Sequence, residues 1–207
     1  MPKRSGDFIL RDRLQITLDG DGAAPTVYGR MDLSDFVNAI EKKGIAVQEI
    51  YLQVRDPNNE SGIADNTGIW NPVAGAFDDA SPATQNILYK IVATTRAYES
   101  LLDVGIASPD VIYMQEHLVT FNNTTGGGVA SGIITPQFRE WPTRDLHPEG
   151  YTLVSDLLIG VAVDNSGGFE RDYWDDAVLE VDIMMICKSV TVTQKMLTNL
   201  LTQAQDV

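Results

Sequence analysis

The chain has 207 residues, 43% of them hydrophobic, with 15 Lys and Arg against 29 Asp and Glu and a formal charge of −14 at pH 7. That length suits one large domain with a sizeable core, and the acidic balance disfavours a broad nucleic-acid footprint because most of the surface would repel phosphates. A single cysteine, Cys187, excludes an intrachain disulfide and a thiolate zinc cluster, and no apolar run approaches the roughly 20 residues a membrane-spanning helix needs.

The N-terminal stretch MPKRSGDFILRDRL carries Lys3, Arg4, Arg11 and Arg13 but no hydrophobic run followed by small residues. It is read as a short basic arm over 1–13 and not as a secretory signal. Leu14, Ile16 and Leu18 then alternate with polar residues up to a Gly/Asp turn, which predicts a strand. In DLSDFVNAIEKKG the spacing of Leu33, Phe36, Val37 and Ile40 predicts a short amphipathic helix over 33–43, with Asp32 or Ser34 as cap and Gly44 closing it. IAVQEIYLQVRD follows as a half-buried strand, Ile50, Leu52 and Val54 alternating with Glu49, Tyr51 and Gln53.

Residues 56–79 are rich in Asn, Gly, Asp and Pro, with Trp70 and Phe77 as apolar anchors, and read as a long surface loop that binds something or contacts another subunit. QNILYKIVATTRAYESLLDVG is ambiguous: Tyr89, Ile91 and Ala93 favour a strand, whereas Ala97, Leu101 and Leu102 fit a helical turn. DVIYMQEHLVTF is a strand ended by the Gly-rich NNTTGGGVASG, and FREWPTRDLHPEG is a Pro-rich connection within a second long loop region over 122–150. YTLVSDLLIGVAVDN supplies another strand, and a turn in GGFERDYWDD leads to a long final strand over 175–192. There Leu179, Val181, Ile183, Met185 and Cys187 occupy one face. The other face sets Glu180, Asp182 and Lys188 among Val178, Met184 and Ile186. It is too apolar for plain solvent and too charged for a core, so it is expected to meet a neighbouring subunit or a covering loop. At Thr193 the period changes to helical, and Met196, Leu197, Leu200 and Leu201 predict a C-terminal helix over 193–204 docked as a lid. Many strands separated by long polar loops, with two short helices and no linker, read as a mainly β protein: one β-sandwich domain over 1–207.

Catalytic and metal signatures are absent from the pattern. His117 and His147 lie far apart with no His-x-His or His-Glu-x-x-His arrangement, which disfavours a cupin-like oxygenase. There is no Gly-x-Ser-x-Gly elbow, and the glycines of TTGGGVASG lack the Lys-Ser/Thr ending of a phosphate loop. Asp56, Asn58 and Glu60 have the alternate spacing of a calcium loop, but Gly62 comes one position late and no acidic residue fills the last bidentate place, so an incidental acidic loop is the preferred reading. Three glycosylation triplets begin at Asn59, Asn122 and Asn123 and matter only outside the cytoplasm. Cys187, on an apolar strand face, reads as a small core hydrophobe. No catalytic, cofactor or metal residue is therefore expected.

The order DLSDFVNAIEKKGIAVQEIYLQVRD, a loop bearing a tryptophan, GYTLVSDLLIGVAVDN, and an alternating strand running into VTVTQKMLTNLLTQ resembles the single jelly-roll capsid-type structural proteins of tailless icosahedral viruses of marine and archaeal type. The resemblance spans most of the chain and rests on the order of elements rather than on an invariant motif. It implies an eight-stranded double sheet whose edges and loops pack against copies of itself, and other coat proteins, in the shell of a virion. It carries over no catalytic residue, cofactor or small-molecule substrate, and the basic arm under an acidic body would suit a polar orientation, with Lys3, Arg4, Arg11 and Arg13 facing genome or membrane. Two other classes fit a β-sandwich. One is a carbohydrate- or receptor-binding module in which Trp70, Trp141, Tyr173 or Trp174 would stack on sugar; the other is an enzyme on the same scaffold, which the shortage of histidines makes the weakest reading.

Overall fold

The computed structural model describes residues 7–19, 24–38, 40–57, 84–108, 110–123, 132–141, 151–152, 155–167, 176, 178–191 and 193. These form the strands β1 (Asp7–Thr17), β2 (Ala24–Asp32), β3 (Lys43–Arg55), β4 (Thr84–Thr94), β5 (Val111–Asn123), β6 (Gly132–Trp141), β7 (Tyr151–Thr152), β8 (Asp156–Gly167) and β9 (Val178–Thr191). A four-stranded sheet has the order β1-β9-β3-β7 and a five-stranded sheet the order β2-β8-β4-β5-β6, and every pairing is antiparallel. The pairs are nested: β1 with β9, β2 with β8, β3 with β7, β4 with β5, alternating between the sheets. β6 extends the second sheet as a hairpin on β5.

The period-two pattern of β9 explains how the sheets pack. Leu179, Val181, Ile183, Met185 and Cys187 are all at most 2% exposed. They join Ile16, Ile45, Val47, Ile50 and Val54 of their own sheet and Met31, Ile91, Tyr113, Leu157, Ile159 and Val161 of the other in one apolar cluster. Two mainly β layers with interdigitated inner faces make a β-sandwich. At one side the layers approach so closely that a Cβ on Gly29 of β2 would fall inside the Leu14 side chain of β1.

A second apolar cluster lies outside the five-stranded sheet, where the β4–β5 connection folds back and seats Leu101 and Val104 on Val92, Val111, Met114 and Ala162. Gly160 makes room for it, since a Cβ there would stand 2.6 Å from Leu101 Cδ1. Lys90 is 3% exposed beneath this connection. Its ammonium donates to the carbonyls of Val104 and Leu102 and lies 3.0 Å from Glu116 Oε1, so the buried charge is both paired and hydrogen-bonded.

The outer strands of the sheets carry residues that discourage pairing with another chain. Pro25 is in β2, which is interrupted by a register shift, and Pro136 is in β6. Asp12 of β1 stands opposite Ile183, on the inward row, yet is exposed. Prolines, bulges and inward-pointing charges are how natural sheets blunt their edges.

Several sequence expectations need correction. No helix forms over the described part of 33–43. Asp32 does cap one turn, accepting from the Ser34 N–H, and the Val37 N–H reaches the Leu33 carbonyl. Asn38 then ends it, because its side-chain oxygen accepts from the N–H groups of Ile40 and Glu41 while its backbone pairs with Lys43. Leu33, Phe36 and Val37 pack on the core as expected, but Ile40 is 94% exposed. β1 starts at Asp7, so Arg11 and Arg13, expected in a basic arm over 1–13, belong to a sheet. β2 and β6 were not legible as strands, and β4 resolves the ambiguous stretch as a strand followed by an irregular connection without a helix. The expected C-terminal helix lies, beyond Thr193, outside the described residues, as do Lys3, Arg4 and the 56–79 loop after Pro57.

Candidate functional site

The outer face of the four-stranded sheet brings the unusual side chains of β9 together with those of its neighbours. Reading across β1, β9 and β3, the register sets Ile9, Ile186 and Glu49 in one row, then Arg11, Met184 and Tyr51, then Arg13, Asp182 and Gln53, and finally Gln15, Glu180 and Arg55. The lower half of this grid is an ion-pair network. Arg13 Nε lies 2.5 Å and its Nη2 3.1 Å from the two oxygens of Asp182, and its Nη1 is 3.3 Å from Glu180. Arg55 approaches the same carboxylates from the other side, at 3.7 and 3.9 Å. The Arg13 hydrogen bond, followed by the charges of Arg13 and Arg55, holds the Asp182 carboxyl below its usual range. Arg13, Arg55 and Asp182 keep contact with solvent, which screens the charges, so the network fixes geometry more than it stabilises the fold.

The upper half is apolar and aromatic. Ile9, Met184 and Ile186 are half-buried, Tyr51 is 49% exposed, and its hydroxyl donates to Glu49 Oε2. Between the halves an open depression of about 600 Å³ is lined by Arg11, Arg13, Tyr51, Gln53, Asp182 and Met184. Arg11 makes no ion pair among the described residues. A charge-balanced, partly apolar face suits docking of another surface better than it suits chemistry.

A second polar group lies on the inner face of β4, β5 and β6. His117 Nδ1 is 2.9 Å from the Tyr89 hydroxyl, and its ring meets Tyr89 and Phe138 edge-on. Tyr113 donates to Glu140 Oε1 at 2.7 Å and lies 3.2 Å from Gln115 Oε1. Burial pushes the Tyr89 and Tyr113 hydroxyls up and the His117 imidazole down, so all three are neutral near pH 7. With its aromatic partners, this arrangement holds β6 against β5.

The residues weighed for chemistry are not brought together. Cys187 is buried in the core, its thiol pushed up to about 12 by desolvation, which removes it as a nucleophile. His117 is in the tyrosine cluster, while His147 lies outside the described residues. Asp56 is 3% exposed at the end of β3, but Asn58 and Glu60 fall outside the described residues. Among the described residues no group of three His, Cys, Asp or Glu side chains is close enough to hold a metal, and no helix is long and apolar enough to cross a membrane. Trp141 ends β6, and Trp70, Tyr173 and Trp174 lie outside the described residues. Arg13 and Arg55 were missed as partners of Glu180 and Asp182. The alternation of Gln53 and Arg55 pointed to their face, but only the register joins them across three strands.

No family model matches the chain, and no curated protein matches it in sequence. Among solved structures it is similar to a chain of turnip yellow mosaic virus, solved at 100 K, with 8% identity over 91% of this chain and 98% of that one and a TM-score of 0.26. A likeness at that level carries no weight for fold or function.

Proposed function

We propose that this chain is a self-assembling structural protein of a viral shell, folded as a jelly roll. The observation that carries the reading is the nested pairing of the strands. One antiparallel ribbon, β1 with β9, β2 with β8, β3 with β7 and β4 with β5, is rolled so that successive pairs fall in opposite sheets. Winding such a ribbon is what makes an eight-stranded double sheet of Greek keys, and β6 is an addition to it. The fold alone does not assign a function; the blunted outer strands and the charge-balanced face support association of copies through faces and loops in place of fibre-forming edges.

In this reading the partners are copies of the same chain and other coat proteins, the location is the virion, and Lys3 and Arg4 ahead of β1 contact genome or membrane. No catalytic step, cofactor or small-molecule substrate is assigned. Electron microscopy and light scattering of the purified protein test it: closed particles of uniform diameter are expected. Monomer alone across a wide range of concentration and salt would refute it, and a stoichiometric metal lost together with stability would revive an enzymatic reading.

A further inference from the structure

We propose that the outer face of the β1-β9-β3 sheet is a twofold interface with a second copy of this chain, with β9 lying on β9 and β1 of each copy lying over β3 of the other. This deepens the self-assembly proposed above and rests on it. The occupant follows from the charge pattern. A chain of formal charge −14 repels its own copies on balance, but this grid carries Arg11, Arg13 and Arg55 against Glu49, Glu180 and Asp182 and is locally balanced. The cations and anions are also placed asymmetrically about β9: Arg11 is on the β1 side, and Glu49 and Tyr51 are on the β3 side.

That asymmetry selects the axis. A twofold axis lying in the interface along β9 exchanges the two sides while keeping each row level. It brings Arg11 of one copy over the Tyr51 ring of the other, with Glu49 one row along, about 7 Å away and within the reach of an arginine. Met184 and Ile186 then meet their own counterparts at the centre, as do Asp182 and Glu180, whose charges are neutralised by Arg13 and Arg55 at their flanks. An axis across the strands would instead stack β1 on β1 and set arginines over arginines, a like-charge contact that disfavours it. Edge-to-edge pairing is opposed by Pro25, Pro136 and Asp12. The face is thus isologous: residues of β1 answer residues of β3 on the other copy, and residues of β9 answer themselves.

Charge exchange tests this arrangement. Arg11→Glu sets a carboxylate one row from Glu49 of the other copy twice in the dimer, and Glu49→Arg sets a guanidinium one row from Arg11 twice. A heterodimer of the two variants restores both opposite-charge contacts. Sedimentation velocity is expected to show wild type self-associating, each variant weakened by more than about tenfold, and the equimolar mixture recovering the wild-type distribution; far-UV circular dichroism confirms that both variants are folded. Variants that associate like wild type, or a mixture that stays as weak as its components, would overturn the interface while leaving self-assembly through other contacts intact. Wild type that remains monomeric at every concentration would overturn both.

Discussion

Truncating two adjacent residues of β9 separates the inner face from the outer one. Ile183 is 2% exposed and belongs to the cluster joining both sheets. Ile183→Ala removes about three carbons, roughly 2.5 kcal/mol of transfer free energy, and a cavity that the facing sheet cannot fill raises the cost to about 4 kcal/mol. Met184, one residue along, is half-buried on the outer face, and Met184→Ala is expected to cost about 1 kcal/mol or less. Urea unfolding followed by circular dichroism reads both; with a slope near 2 kcal/mol/M the first variant loses about 2 M in midpoint and the second about 0.5 M or less. Both are measured in an Arg11→Glu background, so that self-association does not add to apparent stability. Reversed losses would refute the assignment of faces, because a register displaced by one residue exchanges every inward and outward side chain, and equal losses would mean that neither face is buried more than the other.

Lys90→Ala strands Glu116 and two carbonyls under the β4–β5 connection and is expected to cost about 3 kcal/mol; the double variant Lys90→Met with Glu116→Gln should recover at least half of that loss in the same urea assay, and no recovery would mean that the pair is not what holds the connection. Cys187 should not react with an aromatic disulfide reagent at pH 8 until the chain is unfolded, since its thiol is buried and pushed up to about 12; a stoichiometric reaction with folded protein would place it outside the core. Burial lowers the His117 pKa from 6.5, so the unfolded chain binds that proton first as pH falls. The stability this confers is complete above about pH 6.5 and declines below it until the folded imidazole also titrates. His117→Gln should therefore flatten the loss of urea midpoint between pH 7 and pH 5, and an unchanged slope would remove His117 as its source.

The central strands were legible in the sequence because their environment is strictly two-sided. β9 alternates from Leu179 to Cys187 and β3 from Ile50 to Val54, since one side of each meets the opposite sheet and the other does not. The acidic-apolar mixture of Glu180, Asp182, Met184 and Ile186 already marked the outer face as neither core nor plain surface. The edge strands β2 and β6 were hidden for the reason that they work as edges: Pro25 and Gly29 in β2 and Pro136 in β6 interrupt the alternation that a buried strand displays, whereas β1 was legible from Leu14 onward and only its Arg11-Asp12-Arg13 run masked its beginning. The helix expected over 33–43 had its cap and its first apolar turn, but so short a segment is marginal on its own. The hydrogen bonds of Asn38, with the start of β3 at Lys43, provide its backbone with better partners.

What tertiary structure alone decided is which distant residues share a row. Arg13, Asp182 and Arg55 come from three strands far apart in the chain, and one residue of slip in either pairing would have sent their partners to the other side of the sheet. Lys90 likewise reads as a solvated cation within a strand, and it is buried only because the connection carrying Leu101 and Val104 folds back over Gly160 and Ala162. Local sequence determines the period of a strand through the two faces each residue must choose between. Register, edge and cover depend on contacts between segments separated by most of the chain, and no local pattern encodes them.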